Sequence, residues 1–168
     1  LAPDHVPVLE FLDKHDRIPH IEFLYATNAS VKASEKVLNI WSKAKGVTFG
    51  VSIDGLHERN DSFRYGSQWQ NIIENARWYR EQTQKWKNGN FYIHTVISIY
   101  NVRDIPAINQ WLEDELPRVD LSKDCLRDPA WLNIRNLPEK DKEELLAQYT
   151  ELLPTAPKQW KADYESIV

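Results

Sequence analysis

The chain is predicted to be an α/β protein with three parallel strands joined by helices, in the order α, β, α, β, α, β, α. Three observations predict this. Runs rich in β-branched and aromatic residues occupy residues 21–27, 47–53 and 91–99. Between them lie stretches whose apolar residues recur at helical intervals. Within the second and third runs an apolar row alternates with a small or polar one, so one face packs and the other meets something hydrophilic. Successive parallel strands joined by helices cross over right-handedly, which makes them neighbours in chain order with helices on one face. Three strands are too few to close a barrel, so an open sheet or a piece of a half-barrel is expected.

Over residues 4–15, Val8, Phe11 and Leu12 share a helical face and Asp4 is placed to cap it. After Pro19 the strand 21–27 (IEFLYAT) stops at Asn28-Ala29-Ser30, residues that turn a chain or cap a helix. Ala33, Val37, Trp41 and Ala44 then mark a helix ended by Gly46, a residue suited to a left-handed helix terminus. The second strand has Val47, Phe49, Val51 and Ile53 in its apolar row and Thr48, Gly50, Ser52 and Asp54 in the other. Ser67-Gln68-Trp69-Gln70 has the pattern of a capping box, and Trp69, Ile72, Ile73, Ala76 and Tyr79 or Arg80 carry the helical stripe to about Lys85. Gly89 precedes the third strand, whose apolar row is Phe91, Ile93, Ile97 and Ile99, leaving His94 and Ser98 on the other side. Asn101 to Asp104 turns the chain into a helix with Pro106 in its first turn and Ile105, Ile108, Leu112 and Leu116 inward.

Past Pro117 the character changes, since all five glycines lie behind and five of the nine prolines lie from there on. The reading is therefore of an α/β part at residues 1–116 and an irregular, helical extension at 117–168. Within the extension, residues 121–134 read as irregular with a short strand at 131–134. A capped helix beginning near Asn136 turns Leu145, Leu146, Tyr149 and Leu152 or Leu153 inward, and a last short helix at 158–167 carries Trp160, Tyr164 and Ile167.

Composition excludes some classes of function. At 168 residues and 42% hydrophobic content there is enough chain for one domain with a real core. Lys and Arg number 21 against 25 Asp and Glu, and no basic run tracks a phosphate backbone, which argues against nucleic-acid binding. The single cysteine, Cys125, leaves no disulfide framework and fits a reducing, cytoplasmic setting. No apolar stretch approaches the length of a membrane span. The absence of methionine and an opening on Leu1-Ala2-Pro3-Asp4 suggest a fragment.

Chemistry is most legible at the end of the second strand. Ligands of parallel α/β folds sit beyond the carboxyl ends of the strands, which is where Ser52, Asp54 and Gly55 fall. For Asp54 two readings stand side by side: a ligand contact, or a turn residue whose carboxylate satisfies loop amides. Asp61 and Arg64, three apart, also read as a local ion pair. Asn28 reads either as a pocket residue or as a turn and cap residue. His94 and Ser98 lie on the polar, substrate side of their strand, although a hydrogen-bonded core histidine is the commoner case. His57, Glu58 and Asp61 match no strong metal-ligand spacing, and one sulfur, Cys125, cannot hold a cluster.

Several of these runs carry a resemblance. Leu24-Tyr25-Ala26-Thr27-Asn28 resembles the third-strand ending of radical S-adenosylmethionine (radical SAM) enzymes of the twitch or SPASM type, with Ala29 where that family usually has glycine. Ser52-Ile53-Asp54-Gly55, followed by Asp61, Arg64, Gly66 and Asn75, resembles the fourth-strand ribose motif and the helix after it. Residues 96–104 (VISIYNVRD) resemble the fifth strand and its exit, and residues 127–138 more loosely resemble the lead into a twitch-like C-terminal part.

The resemblance implies a fragment of a partial (β/α)6 barrel that binds S-adenosylmethionine. Ser52, Asp54 and Asn28 would meet its polar groups, and Arg64 would pair with its carboxylate. It also implies an iron-sulfur (4Fe-4S) cluster, an electron donor, and a small-molecule or peptide substrate from which a 5′-deoxyadenosyl radical abstracts hydrogen. The family's Cys-x3-Cys-x2-Cys triplet is missing from the sequence and is expected upstream of Leu1, so the chain alone should be inactive. The alternative is a non-catalytic α/β half-barrel that serves as a binding or interaction domain.

Overall fold

The computed structural model describes residues 4–158, 160 and 161. Four strands form one sheet in the order β1-β2-β3-β4: β1 is Glu22–Thr27, β2 Gly46–Ser52, β3 Gly89–Ile97 and β4 Asp120–Cys125. Each adjacent pair is parallel. The helices among the described residues are α1 (His5–Lys14), α2 (Glu35–Trp41), α3 (Glu58–Phe63), α4 (Trp69–Gln84), α5 (Ile105–Glu115) and α6 (Glu139–Leu152).

Register explains how the core forms. Phe23, Tyr25 and Thr27 stand opposite Val47, Phe49 and Val51, and Phe49 and Val51 stand opposite Phe91 and Ile93, so the apolar rows make one continuous face. Onto it α1 delivers Leu9, α2 delivers Val37, Ile40 and Trp41, α4 delivers Ile72, Ile73, Ala76 and Tyr79, and α5 delivers Leu112, all in one buried cluster. Leu24, Ala26, Ser52, Tyr92 and His94, from the opposite row, contribute nothing to that cluster. Leu24 is 70% exposed there. At Gly50 the ring of Tyr92 lies where a side chain would stand: a Cβ would meet it at 2.5 Å. The expected parity therefore holds, with Val51 and Ile53 buried under the helices and Ser52 turned away.

The expectation of three strands is corrected to four. Residues 120–125 (DLSKDC) have no apolar row because β4 lies at the sheet edge, where only Leu121 joins the cluster. Alternation thus continues past Pro117. The strand expected at 131–134 is instead a pair of 3₁₀ turns, Ala130–Leu132 and Ile134–Asn136, the second capped by the Asn133 side chain. The short helix α3 lies between the second strand and the helix expected from Ser67, where no element was expected.

Local details also differ. Gly46 is the first residue of β2 and has no positive φ; among the described glycines only Gly66 does, at 81°. The expected capping box at Ser67 does not form. The Ser67 hydroxyl donates to Asp61 Oδ1 and the Trp69 N–H to Asp61 Oδ2, so the carboxylate of Asp61 caps α4. Helix α1 buries Leu9 and leaves Val8 and Phe11 exposed, and in α6 Leu145 and Tyr149 are buried while Leu146 is exposed. Asp4 precedes α1 without a side-chain cap bond.

A second buried cluster joins Ile97, Val102, Ile105 and Ile108 to Leu145 and Tyr149. There the Tyr149 hydroxyl donates to the Val102 carbonyl at 2.6 Å, which fastens α6 to the exit of β3. Trp160 packs against the same cluster, whereas Tyr164 and Ile167 lie outside the described residues. No described helix is long and apolar enough to cross a membrane.

Candidate functional site

At the carboxyl ends of β1 and β2 is a cleft of about 570 Å³. Its lining includes His5, Tyr25, Thr27, Asn28, Ser52, Arg64, Phe49 and Tyr79. Three aromatic rings make one wall: Tyr25 stacks on Phe49 with centroids 5.2 Å apart, and Phe49 meets Tyr79 at 4.7 Å. The Tyr79 hydroxyl donates to the Val31 carbonyl at 2.9 Å and pins the loop after β1.

That loop is built around Ala29, which is fully buried with φ 54°. A left-handed alanine is strained. It is held there by Thr27 Oγ1, which accepts from the Ala29 N–H at 3.1 Å, and by the buried Asn75, which donates to the Ala29 carbonyl at 2.7 Å. Asn28 Oδ1 accepts from the Ser30 N–H and hydroxyl, an Asx turn that occupies its oxygen.

The cleft's inner end is a chain of hydrogen bonds. The Trp41 indole N–H donates to the Tyr25 oxygen at 2.8 Å, and that hydroxyl lies 3.0 Å from His5 Nε2. Indole can only donate, so the Tyr25 proton is free to go to His5 Nε2 when the imidazole is neutral. Burial pushes the Tyr25 hydroxyl up to about 12, partly offset by the indole bond. Burial also holds His5 below the ordinary imidazole value.

Asp54 is occupied within the protein. Its Oδ1 accepts from the Val96 N–H at 2.9 Å and its Oδ2 from Arg64 Nη2 at 2.6 Å. Its backbone N–H donates to Asn60 Oδ1, and its carbonyl accepts from Asn101 Nδ2 at 2.9 Å. Asn101 also donates to the Val96 carbonyl. One knot of side chains thus ties the ends of β2 and β3 together. Arg64, which sequence spacing paired with Asp61, is held by Asp54. Its Nε is buried and has no partner among the described residues.

Of the residues singled out from sequence, the structure brings Asn28, Ser52 and Arg64 together on the cleft, with Asp54 behind Arg64. His94 is not on the cleft wall. It stands opposite Ser52 in the sheet register, on the open face, with Nε2 3.8 Å from Asp124 Oδ2. Ser98 is 92% buried in the turn after β3, where its N–H donates to Asn101 Oδ1 at 2.7 Å. Its role is therefore in the turn and not in the cleft. His57 packs on Trp69. Among the described residues no group of three His, Cys, Asp or Glu side chains is placed to hold a metal ion, and Cys125 is exposed.

Sequence reasoning missed His5, Tyr25, Tyr79, Asn60 and Asn101. The tyrosines sit in apolar stripes and read as packing, which they also provide. Asn101 read as an ordinary turn residue, and only the fold shows that its amide reaches Asp54. Compared with protein-family models and with curated proteins, the chain matches none.

Proposed function

We propose that the chain is the strand-and-helix portion of a radical SAM enzyme and that its cleft binds S-adenosylmethionine. The observation that supports this best is the pairing of an aromatic wall with Arg64, whose Nε has no partner among the described residues, at the carboxyl ends of adjacent parallel strands. Ser52 and the Asn28 amide would hydrogen-bond the cofactor's polar groups, and Arg64 would meet its carboxylate. Asp54 is then a positioning residue that aims the Arg64 guanidinium. When bound, S-adenosylmethionine supplies the radical that takes hydrogen from a small-molecule or peptide substrate; the protein's share is to bind and orient.

The residues present do not fit the 4Fe-4S cluster, because thiolates are its usual ligands and this chain has one cysteine. In this reading the cysteine triplet lies upstream of Leu1, together with contacts for an electron donor, and the lone thiol suits a reducing cytoplasm. A second reading, a cluster-free α/β binding domain, is favoured by one observation: both carboxylate oxygens of Asp54 already have partners in the protein.

The test is calorimetric titration of S-adenosylmethionine into the chain, and into a longer chain reconstituted anaerobically with iron and sulfide. Saturable binding that weakens in Ser52→Ala and Arg64→Ala supports the cleft assignment. Release of 5′-deoxyadenosine by the longer chain supports the enzyme. Binding without that product, from a cluster-loaded chain, favours the binding domain, and no binding at all refutes the proposal.

A further inference from the structure

At the opposite, amino-terminal end of the sheet lies a recess of about 310 Å³. It is formed by the last turn of α4, the start of β3 and the turn between α5 and β4. Arg80 and Arg118 both line it, with the polar side chains of Thr83, Gln84 and Asn90 and no carboxylate. Arg59, Arg64, Arg77 and Arg103 each pair with an acidic side chain, whereas Arg80 and Arg118 have no acidic partner among the described residues. We propose that this recess is an anion-binding site that takes a phosphate or carboxylate group between the guanidinium groups of Arg80 and Arg118.

Three features support it. Arg80 gives Nη2 to the Pro117 carbonyl at 2.6 Å, which fixes the guanidinium beside the α5–β4 turn and leaves further N–H groups to donate. Arg118 is in that turn with φ 66°, a left-handed conformation that costs a non-glycine residue energy, and it has no hydrogen bond or ion pair among the described residues. The third feature is rigidity. At Gly89 a Cβ would lie 2.0 Å from the Thr83 carbonyl oxygen, so the end of α4 sits directly on the start of β3 and the recess has a fixed floor.

A planar, permanently charged fork suits an oxyanion, and two forks on one recess suit a tetrahedral phosphate better than a single carboxylate. Two influences oppose binding. The carboxyl end of α4 directs carbonyl oxygens this way. Glu113 and Asp120 border Arg118 in the adjoining recess and compete for it.

The experiment is titration of the ¹⁵N-labelled chain with inorganic phosphate, following the Gly89 and Asn90 amide signals. Sodium acetate and sodium chloride are titrated separately at matched ionic strength. Saturable shifts with phosphate, absent with chloride and weakened about tenfold or more in Arg118→Gln, are expected. Saturation by acetate as well as phosphate assigns the site to oxyanions generally, and saturation by phosphate alone assigns it to phosphate groups. Arg80→Gln should act likewise, but it also frees the Pro117 carbonyl, so its thermal melt is recorded and Arg118→Gln decides if Arg80→Gln does not fold. Linear shifts common to all three salts, or phosphate binding unchanged by Arg118→Gln, overturn the proposal.

Discussion

Replacing Asp54 by alanine should destabilise the fold before it affects any ligand. The side chain is 18% exposed and its partner Arg64 25% exposed, so neither interaction is fully screened by solvent. Alanine leaves the part-buried Val96 N–H without its acceptor, which costs about 1–3 kcal/mol for an unsatisfied donor. It also strips Arg64 of its counter-charge, worth about 1 kcal/mol for a pair that still sees water. The sum, about 2–4 kcal/mol, is a large share of the about 5–15 kcal/mol that holds a typical domain together. Asp54→Asn keeps an oxygen for Val96 and loses mainly the ionic part, so about 1 kcal/mol is expected, with Arg64→Ala similar. Urea unfolding of the three variants should therefore rank Asp54→Ala well below the other two. An Asp54→Ala midpoint within about 0.5 kcal/mol of the parent, the range of ordinary surface changes, would refute the knot at the ends of β2 and β3.

Three further outcomes follow from the same geometry. Gly89→Ala places a methyl on the Thr83 carbonyl, a backbone atom that cannot step aside, so a loss of about 1–3 kcal/mol or more in urea unfolding is expected. The folded Tyr25 holds its proton to about 12 while an unfolded tyrosine releases it near 10, so the folded state binds more protons between those values. Stability should fall as pH rises through that window, and Tyr25→Phe should remove that part of the slope in pH-dependent melts. His5 shifts the other way: its folded value is lowered, so its contribution is present above the ordinary imidazole value and is lost as pH falls through 6.5 toward the folded value. His5→Asn should flatten the melting temperature over that range, and an unchanged slope would show that burial at His5 is not what the acid side senses.

The parts of the fold that were legible in sequence are those where burial forces a pattern. Val47, Phe49, Val51 and Ile53 alternate because one side of β2 is sealed by α2 and α4, and the parity of Ser52 follows from theirs. The stripe of α4 was likewise within reach, whereas the cap of α2 is Ser34 and not one of Asn28-Ala29-Ser30. Strand β4 was not, because an edge strand with one inward residue, Leu121, has no period to detect. Nor was the Asp61 cap, since a carboxylate reaching Ser67 and Trp69 across a loop leaves no fixed spacing. The same limit applied to the candidate site. Ser52 and Asp54 were found because strand ends are predictable places. That Asp54 would be consumed by Val96 and Arg64 depended on contacts between residues 42 and 10 positions apart.

The strand order has a consequence in time as well as in space. Because each strand pairs with the one immediately before it in the chain, every addition closes only a single intervening loop, and no early segment must wait for a distant one. Assembly can therefore follow the direction of synthesis: β1 and β2 can pair under α2 while α4 and β3 are still emerging, and β4 joins last. Hydrogen exchange during refolding should register that sequence, with amides of β2 protected early and those of β4 late. In the folded protein local opening should be easiest at the two edge strands, β1 and β4, whose outer edges have no strand beside them among the described residues.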